Sequence, residues 1–296
     1  MTLYSSEYDK ELFLKNLEKV RKIFRNRYDI DVQENKYKLI KGNEVYYYDS
    51  EIVKNLMKNN DLIHRFLFSK NLDLKEAYKM FDNMMLWRKL YEVDLCNTWK
   101  FKNYDNIKEL YPRYWHSYSK QGYPVCIEKP GEVNLNELLK ITTIDDMLRL
   151  YTFDMEYMVH QEFNNASIKT GRKISKVLSI VDLNNIKVQN INTEFYKYFK
   201  QMVQIGQNNY PEITYKIYLV NVTGVFDFVW KFISRWVNER TRKKIIVLKK
   251  GNLEPLLEDI NPENLPVEYG GRCTTCINND CEHGSENEIN YQKIRK

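Results

Sequence analysis

Downstream of Tyr111 the chain alternates short apolar runs with helix-length segments, and this alternation limits the fold more than any other feature. Pro124-Val-Cys-Ile-Glu, after a Lys-Gln-Gly turn, reads as a strand. Lys176 to Asp182, Thr214 to Asn221 and Lys243 to Leu248 read the same way. Between them, Met147 to Gln161 presents Met147, Leu150, Tyr151, Met155, Met158 and Val159 at helical spacing. Thr193 to Ile205 presents Phe195, Phe199, Met202 and Val203 likewise. A strand returns parallel to its predecessor only through a long crossover, usually a helix. The expected fold is therefore α/β, with βαβ crossovers and a mostly parallel sheet.

The first hundred residues read as helical. Phe13, Leu17, Val20 and Phe24 recur on one helical face, opposite Lys15, Lys19, Arg21, Lys22, Arg25 and Arg27. Asp73 with Glu76 three residues on is a capping-box variant that opens a helix through Ala77, Phe81, Met84 and Trp87. A shorter helix precedes it from Asp61. The last residues lose periodicity. The expected division is a helical lobe at 1–95, an α/β lobe at 96–272 and a tail at 273–296.

With 296 residues and 43% hydrophobic content there is material for a full core. The balance of 46 basic against 40 acidic residues leaves a net charge of +6. That suits acidic partners but lacks the dense basic patch of a nucleic-acid binder. No apolar run reaches the roughly 18 residues of a membrane span. The longest, Ile217 to Trp230, is interrupted by Asn221, Thr223 and Asp227. With no leader pattern at the N-terminus, a soluble cytoplasmic monomer is the expectation. Gly-x-Ser-x-Gly, P-loop and His-Glu-x-x-His motifs are all absent. Four His leave little material for acid–base chemistry, and a Cys126/His116 hydrolase is the remaining enzymatic reading. The chain is expected not to be an enzyme.

One segment is too apolar for an ordinary crossover helix. From Phe226 to Val237, bulky side chains cover more than half the circumference, whereas a helix on one sheet face needs only a stripe. Such a helix either is sandwiched between neighbours or walls a cavity whose guest is apolar.

These features come together in a resemblance. Arg65-Phe-Leu-Phe-Ser-Lys-Asn-Leu-Asp-Leu-Lys-Glu-Ala and Trp87-Arg-Lys resemble the helical preface of the CRAL-TRIO family. Tyr111-Pro-Arg-Tyr-Trp-His, Gly122-Tyr-Pro-Val-Cys-Ile-Glu, Val133-Asn-Leu-Asn-Glu-Leu and Ile180-Val-Asp-Leu are similar to its lipid-binding domain. So are Gln207-Asn-Asn-Tyr-Pro-Glu-Ile, Thr241-Arg-Lys-Lys-Ile and Asn264-Leu-Pro-Val-Glu-Tyr-Gly-Gly. The nearest branch is the Sec-fourteen-like phosphatidylinositol transfer proteins. The resemblance implies a helical lobe beside an α/β lobe whose sheet floors an apolar lipid pocket, closed by a gate helix. It implies exchange of phosphatidylinositol for a second lipid at internal membranes, in support of phosphoinositide synthesis and vesicle trafficking. An inositol-lipid kinase is the implied partner. A lipid-sensing module that binds phospholipid or sterol without net transfer is the alternative. No cofactor is required beyond the bound lipid.

The resemblance also implies roles for individual residues. Lys244 would grip the inositol phosphate, with Thr241 beside it and Glu212 pairing with the lysine. Lys70 and Asn71 would complete the head-group site, Asn71 standing where a second cation is expected. The second-lipid positions are Trp115, Cys126, Met155, Val177, Ser179 and Ile213, of which only Ser179 keeps a hydroxyl. That loss of polar groups argues against phosphatidylcholine and for a less polar guest. The gate would be Phe226, Phe228, Val229, Trp230, Phe232, Ile233, Trp236 and Val237. Near the end, Cys273, Cys276, Cys281 and His283 have a spacing that admits a tetrahedral zinc shell, packing cysteines being the alternative.

Overall fold

The computed structural model describes residues 18–24, 32–33, 36–186, 191–274, 276–277 and 280–281. The chain divides into two compact units, Met1–Asp94 and Leu95–Lys296.

In the first unit, residues 18–24 are helical (α1). Three antiparallel strands follow, β1 (Val32–Gln33), β2 (Lys36–Lys41) and β3 (Glu44–Asp49). Then come α2 (Ser50–Lys58), α3 (Asn60–Ser69) and α4 (Leu74–Leu90). The hairpin corrects the wholly helical expectation. Its pattern is local: Tyr37 and Leu39 are buried on β2 and Tyr48 on β3, while Lys38, Ile40 and Tyr47 are exposed, the period-2 signature of a half-buried strand. Gly42, at φ 60°, supplies the positive φ of the two-residue loop between paired Lys41 and Glu44. Asp73 caps α4 by accepting from the Glu76 amide at 3.1 Å, as the capping signal required. The core joins Phe24, Tyr37, Leu39, Tyr48, Val53, Phe66, Phe81 and Met85. Phe24 meets Phe81 edge to face at 5.5 Å, so the described part of α1 buries its predicted apolar side. Phe13, Leu17, Lys15, Arg25 and Arg27 lie outside the described residues.

The second unit is built on a five-stranded sheet in the order β4-β5-β6-β7-β8. The strands are β4 (Arg113–Tyr118), β5 (Pro124–Glu128), β6 (Val177–Asp182), β7 (Thr214–Val222) and β8 (Ile245–Lys249). The β4–β5 pair is antiparallel and the other three are parallel. The helices are α5 (Tyr104–Leu110), α6 (Leu135–Ile141), α7 (Ile144–Tyr157), α8 (Phe163–Thr170), α9 (Thr193–Asn209), α10 (Val225–Ile233), α11 (Glu239–Arg242) and α12 (Leu256–Asp259). Strand β4 has no counterpart in the predicted set, because Arg113-Tyr-Trp-His-Ser-Tyr carries no aliphatic run. The single helix expected over Met147 to Gln161 is α7 continued by a π-helical turn at Met158–Glu162 and then by α8.

One face of this sheet is closed. Val125, Ile127, Leu178, Ile180, Tyr218 and Val220 have no exposure and pack with Leu256, Ile260 and Leu265. Asp259 anchors α12 over that face by accepting from Lys216 Nζ and Tyr218 Oη, each at 2.6 Å.

Candidate functional site

The other face is different. In a parallel sheet the central strands are normally buried on both sides. Here the alternate residues of the central strands β6 and β7, Ser179, Val181 and Ile217, remain half-exposed, as does Ile245 on β8. The register aligns Trp115 with Cys126, Cys126 with Ser179, Ser179 with Ile217 and Ile217 with Ile245. Paired residues share a face, so these five form one row across the whole sheet. Three of the predicted second-lipid positions thus stand side by side. Trp115 and Cys126 are buried, and the row opens to solvent at Ser179. Met155 on α7, Val177 at the start of β6 and Ile213 before β7 are each buried, and the Val177 amide donates to the Ile213 carbonyl at 2.9 Å.

Next along the sheet lies a buried charge system that the sequence reading missed. Arg113 donates through Nε to Glu128 across the β4–β5 pair and through Nη1 to Asp154 on α7, each at 2.8 Å. Its guanidinium also stacks over Tyr151 at 5.2 Å. Burial pushes the Asp154 carboxyl up against the pull of Arg113, and burial likewise raises the hydroxyls of Tyr151 and Tyr198. The Cys126 thiol is pushed up to about 12 by burial, so it stays protonated and is a poor nucleophile. Cys126 pairs with Trp115 in the ladder, and β4 shifts register between Trp115 and Tyr118, beside His116.

The apolar helix expected at Phe226–Val237 is α10 with a 3₁₀ turn at Ser234–Trp236. Phe226 and Val229 are buried, and Phe226 stacks on Trp230 at 5.6 Å. Phe226 and Trp230 join a cluster with Leu183, Val181, Ile217, Leu219 and Ile245 on the half-open face. Trp236 turns elsewhere, to Tyr196 at 5.8 Å and Phe199 at 6.2 Å on α9. Phe232 also meets Tyr196, at 6.3 Å; Ile233 is half-buried and Val237 buried. Phe228 lies within α10, and its side chain is outside the described set. Along all 17 residues of α9 only Tyr198 and Asn209 are buried, although Phe195, Phe199, Met202 and Val203 are apolar. Gln207 latches the two helices: its Nε2 donates to the Trp236 carbonyl at 2.8 Å and its Oε1 accepts from the Asn238 amide.

The predicted head-group residues of this unit gather beside β7 and β8. Glu212 Oε2 accepts from Lys244 Nζ at 3.2 Å and Oε1 from Arg240 Nη1 at 3.3 Å. The Glu212 carbonyl accepts from Lys176 Nζ at 2.6 Å. Thr241 sits between the two cations on α11, its amide donating to Asn238 Oδ1 at 2.8 Å. Arg240 and Lys176 were absent from the predicted set, although Arg240 opens the basic run that contains Lys244. Lys70 and Asn71 belong to the first unit, where they end α3; Asn71 adopts φ 52°, a left-handed conformation that Asn tolerates well.

Of the four candidate zinc ligands, Cys273 is buried, and its amide donates to the Leu265 carbonyl at 3.0 Å. Cys276 and Cys281 are backbone partners in a short antiparallel pair. His283 lies outside the described residues.

Comparison with known proteins agrees with this architecture. Phosphatidylinositol/phosphatidylcholine transfer protein SFH11 of Arabidopsis thaliana is 30% identical over 239 residues, covering 80% of this chain and 64% of that protein. The SEC14 cytosolic factor of Yarrowia lipolytica is 33% identical over 214 residues, covering 72% of this chain and 43% of that protein. The Sec14 cytosolic factor of Schizosaccharomyces pombe is 31% identical over 210 residues, or 71% and 73% of the two chains. The chain therefore spans between about two fifths and three quarters of the length of these relatives. The crystal structure of Sfh5 superposes with a TM-score of 0.59 at 22% identity, covering 92% of this chain and 89% of that one, a likeness of fold. Residues 108–271 match the CRAL/TRIO domain. On the sheet order, the sequence match and the structural likeness together, the chain belongs to the CRAL/TRIO domain family.

Proposed function

We propose that this protein takes up single phospholipids, phosphatidylinositol among them, and exchanges them between membranes. The observation that carries the reading is the half-open face of the central strands, roofed by the aromatic helix α10 and bordered by the cations on Glu212. Each methylene moved from bilayer to water costs about 0.8 kcal/mol, so two acyl chains carry on the order of 20 kcal/mol. A carrier must offer an apolar surface that replaces the bilayer, and a roof that opens to load it. Among the described residues no helix is long and apolar enough to cross a membrane, so membrane contact would be made through the roof. Relatives named as phosphatidylinositol/phosphatidylcholine transfer proteins and cytosolic factors support the reading. In it, Lys244 takes the inositol phosphate, Thr241 adds a hydroxyl and Glu212 holds the lysine in place. Supplying phosphatidylinositol to an inositol-lipid kinase at internal membranes is the downstream role.

The test is transfer of labelled phosphatidylinositol between vesicles. The native protein should transfer it, and Lys244→Ala should slow transfer about tenfold or more, as expected for a lost charge-assisted contact. Circular dichroism should be unchanged, because the Lys244 side chain keeps 25% exposure and contributes little to the core. Binding without transfer would favour the lipid sensor; transfer by Lys244→Ala at the native rate would sink the head-group assignment.

A further inference from the structure

Two rows of side chains share the half-open face. Besides the row through Ser179, the register aligns Arg113 with Glu128, Glu128 with Val181, Val181 with Leu219 and Leu219 with Val247. Alternate residues of a strand point to one side, so Arg113 and Glu128 lie on the same face as Trp115 and Cys126, about 7 Å along their strands. This second row changes character along its length. Val181 and Leu219 pack with Phe226 and Trp230 of α10. At the β4 end Arg113 and Glu128 form an ion pair at 2.8 Å, and Asp154 of α7 closes on Arg113 at the same distance. Tyr151 lies against the guanidinium, and its hydroxyl has room beside α9 because residue 206 is glycine, where a Cβ would stand 3.0 Å from the oxygen. These polar groups are deep yet not sealed. Burial raises the carboxyl of Asp154 and the hydroxyls of Tyr111, Tyr151 and Tyr198. The Arg113, Glu128 and Asp154 side chains nevertheless keep 16%, 19% and 18% of their surface accessible. Groups withdrawn from bulk water that still present surface line a recess. A carboxylate can accept about four hydrogen bonds, so pairing with Arg113 leaves both acids able to accept from a guest.

We propose that Arg113, Glu128 and Asp154 form a polar anchor for the free hydroxyl of a neutral lipid, whose apolar body lies along the sheet beneath α10. This rests on the reading of the half-open face as lipid-bearing and names the class of the second guest. A hydroxyl offers one hydrogen and two lone pairs. It can donate to either carboxylate while it accepts from the guanidinium. Ionised carboxylates only accept. A phosphodiester and a quaternary ammonium bring no hydrogen to donate, and the two acids repel a phosphate. A primary ammonium could donate, but in a phospholipid it arrives with a phosphate, for which the neighbouring Cys126, Met155, Val177 and Ile213 hold no charge. An ether or ester of the same alcohol has lost the donor, and it covers the carboxylates without giving them a bond in return.

The experiment measures capture by the full chain from phosphatidylcholine vesicles carrying cholesterol or cholesteryl methyl ether, and in parallel dioleoylglycerol or triolein. The native protein should take the alcohol over its capped partner about tenfold or more in at least one pair; which pair responds tells whether a sterol or a glyceride body fits. Replacing the three charges together, as Arg113→Met with Glu128→Leu and Asp154→Leu, should keep the fold, since apolar groups of similar volume take the place of an ion cluster without leaving a lone buried charge. That variant should still capture the capped lipids but lose the preference for the alcohol, a ratio that a purely structural role for the cluster would not move. Should it fail to fold, Asp154→Asn, which leaves Arg113 paired with Glu128, reads the same ratio and should lower it about threefold or more. No preference for the alcohol in either pair by the native protein, or a preference that survives unchanged in the variant, overturns the proposal. Transfer of labelled phosphatidylinositol by the same preparation keeps the two readings apart: transfer without a preference for the alcohol removes the anchor alone, and loss of both removes the lipid-carrier reading as well.

Discussion

Glu162 is a residue whose environment sets its chemistry. It ends the π-helical turn at Met158–Glu162 and is 2% exposed. Burial pushes its carboxyl up to about 7 from an ordinary 4.5, although the neighbouring Tyr157 hydroxyl pulls the other way. A raised value means that the folded chain holds the proton more tightly than the unfolded one. The cost of ionising the group is absent below about pH 4.5 and complete above about pH 7, so stability falls as pH rises across that window. The difference amounts to about 3 kcal/mol. Glu162→Gln should therefore be more stable than the native protein at pH 8 and nearly equal at pH 4. Urea unfolding at the two values measures this, and a parallel offset at both would count against a buried ionising carboxyl. Cys126 shows the same effect with the opposite use: burial pushes its thiol up to about 12, far from any role as nucleophile.

At the scale of elements, the helix α10 and its 3₁₀ extension carry aromatic groups toward two separate neighbours. Trp230 lies against the sheet cluster and Trp236 against α9. Six positions of separation put two side chains about 120° apart around a helix of 3.6 residues per turn, so they do not share a face. The end of the element is held by the two hydrogen bonds of Gln207. Each is worth about 1 kcal/mol net. Replacing Gln207 by Leu should loosen the latch, so that the Asn238 amide exchanges with solvent about tenfold faster or more. Hydrogen exchange read by mass spectrometry over residues 232–240 provides the check. Unaltered exchange would mean that the aromatic contacts with α9 hold the helix end without Gln207.

At the scale of the whole molecule, the two faces of the α/β sheet do different work. The closed face is sealed by α12 and the Asp259 anchor. The half-open face carries the transverse row that includes Ser179, the sole hydroxyl among the six positions predicted for a second lipid. Trp115, Cys126, Met155, Val177 and Ile213 are all buried and bring no charge to a phosphate. Phosphatidylcholine transfer should accordingly be about tenfold slower than phosphatidylinositol transfer, and lipids co-purifying with the protein should include a guest less polar than phosphatidylcholine. Mass spectrometry of the bound lipids together with paired transfer assays checks both statements. Equal rates for the two phospholipids would show that shape, without polar contacts, suffices for the second guest.

Local pattern determined much of this before any packing was known. Three of the four predicted strands lie within two residues of the observed β6, β7 and β8, and the fourth, Pro124–Glu128, coincides with β5, because apolar runs and turn residues are properties of neighbours along the chain. The Asp73 cap was legible for the same reason. The hairpin at Lys36–Asp49 was legible too, through its alternation and Gly42, but only to a reading that let helical neighbours be interrupted. Strand β4 was not, since an aromatic and charged strand shows no aliphatic period. The site divides along the same line. Lys244, Thr241 and Glu212 could be named from motifs, whereas Arg240 and Lys176 enter the cluster only because the fold brings them to Glu212 from 28 and 36 residues away. Arg113 meets Asp154 across 41 residues in the same way. Which face of the sheet stays open was decided last of all. It depends on the register of five strands and on where α9, α10 and α12 settle, and a one-residue slip in any strand would turn its row of side chains to the opposite face.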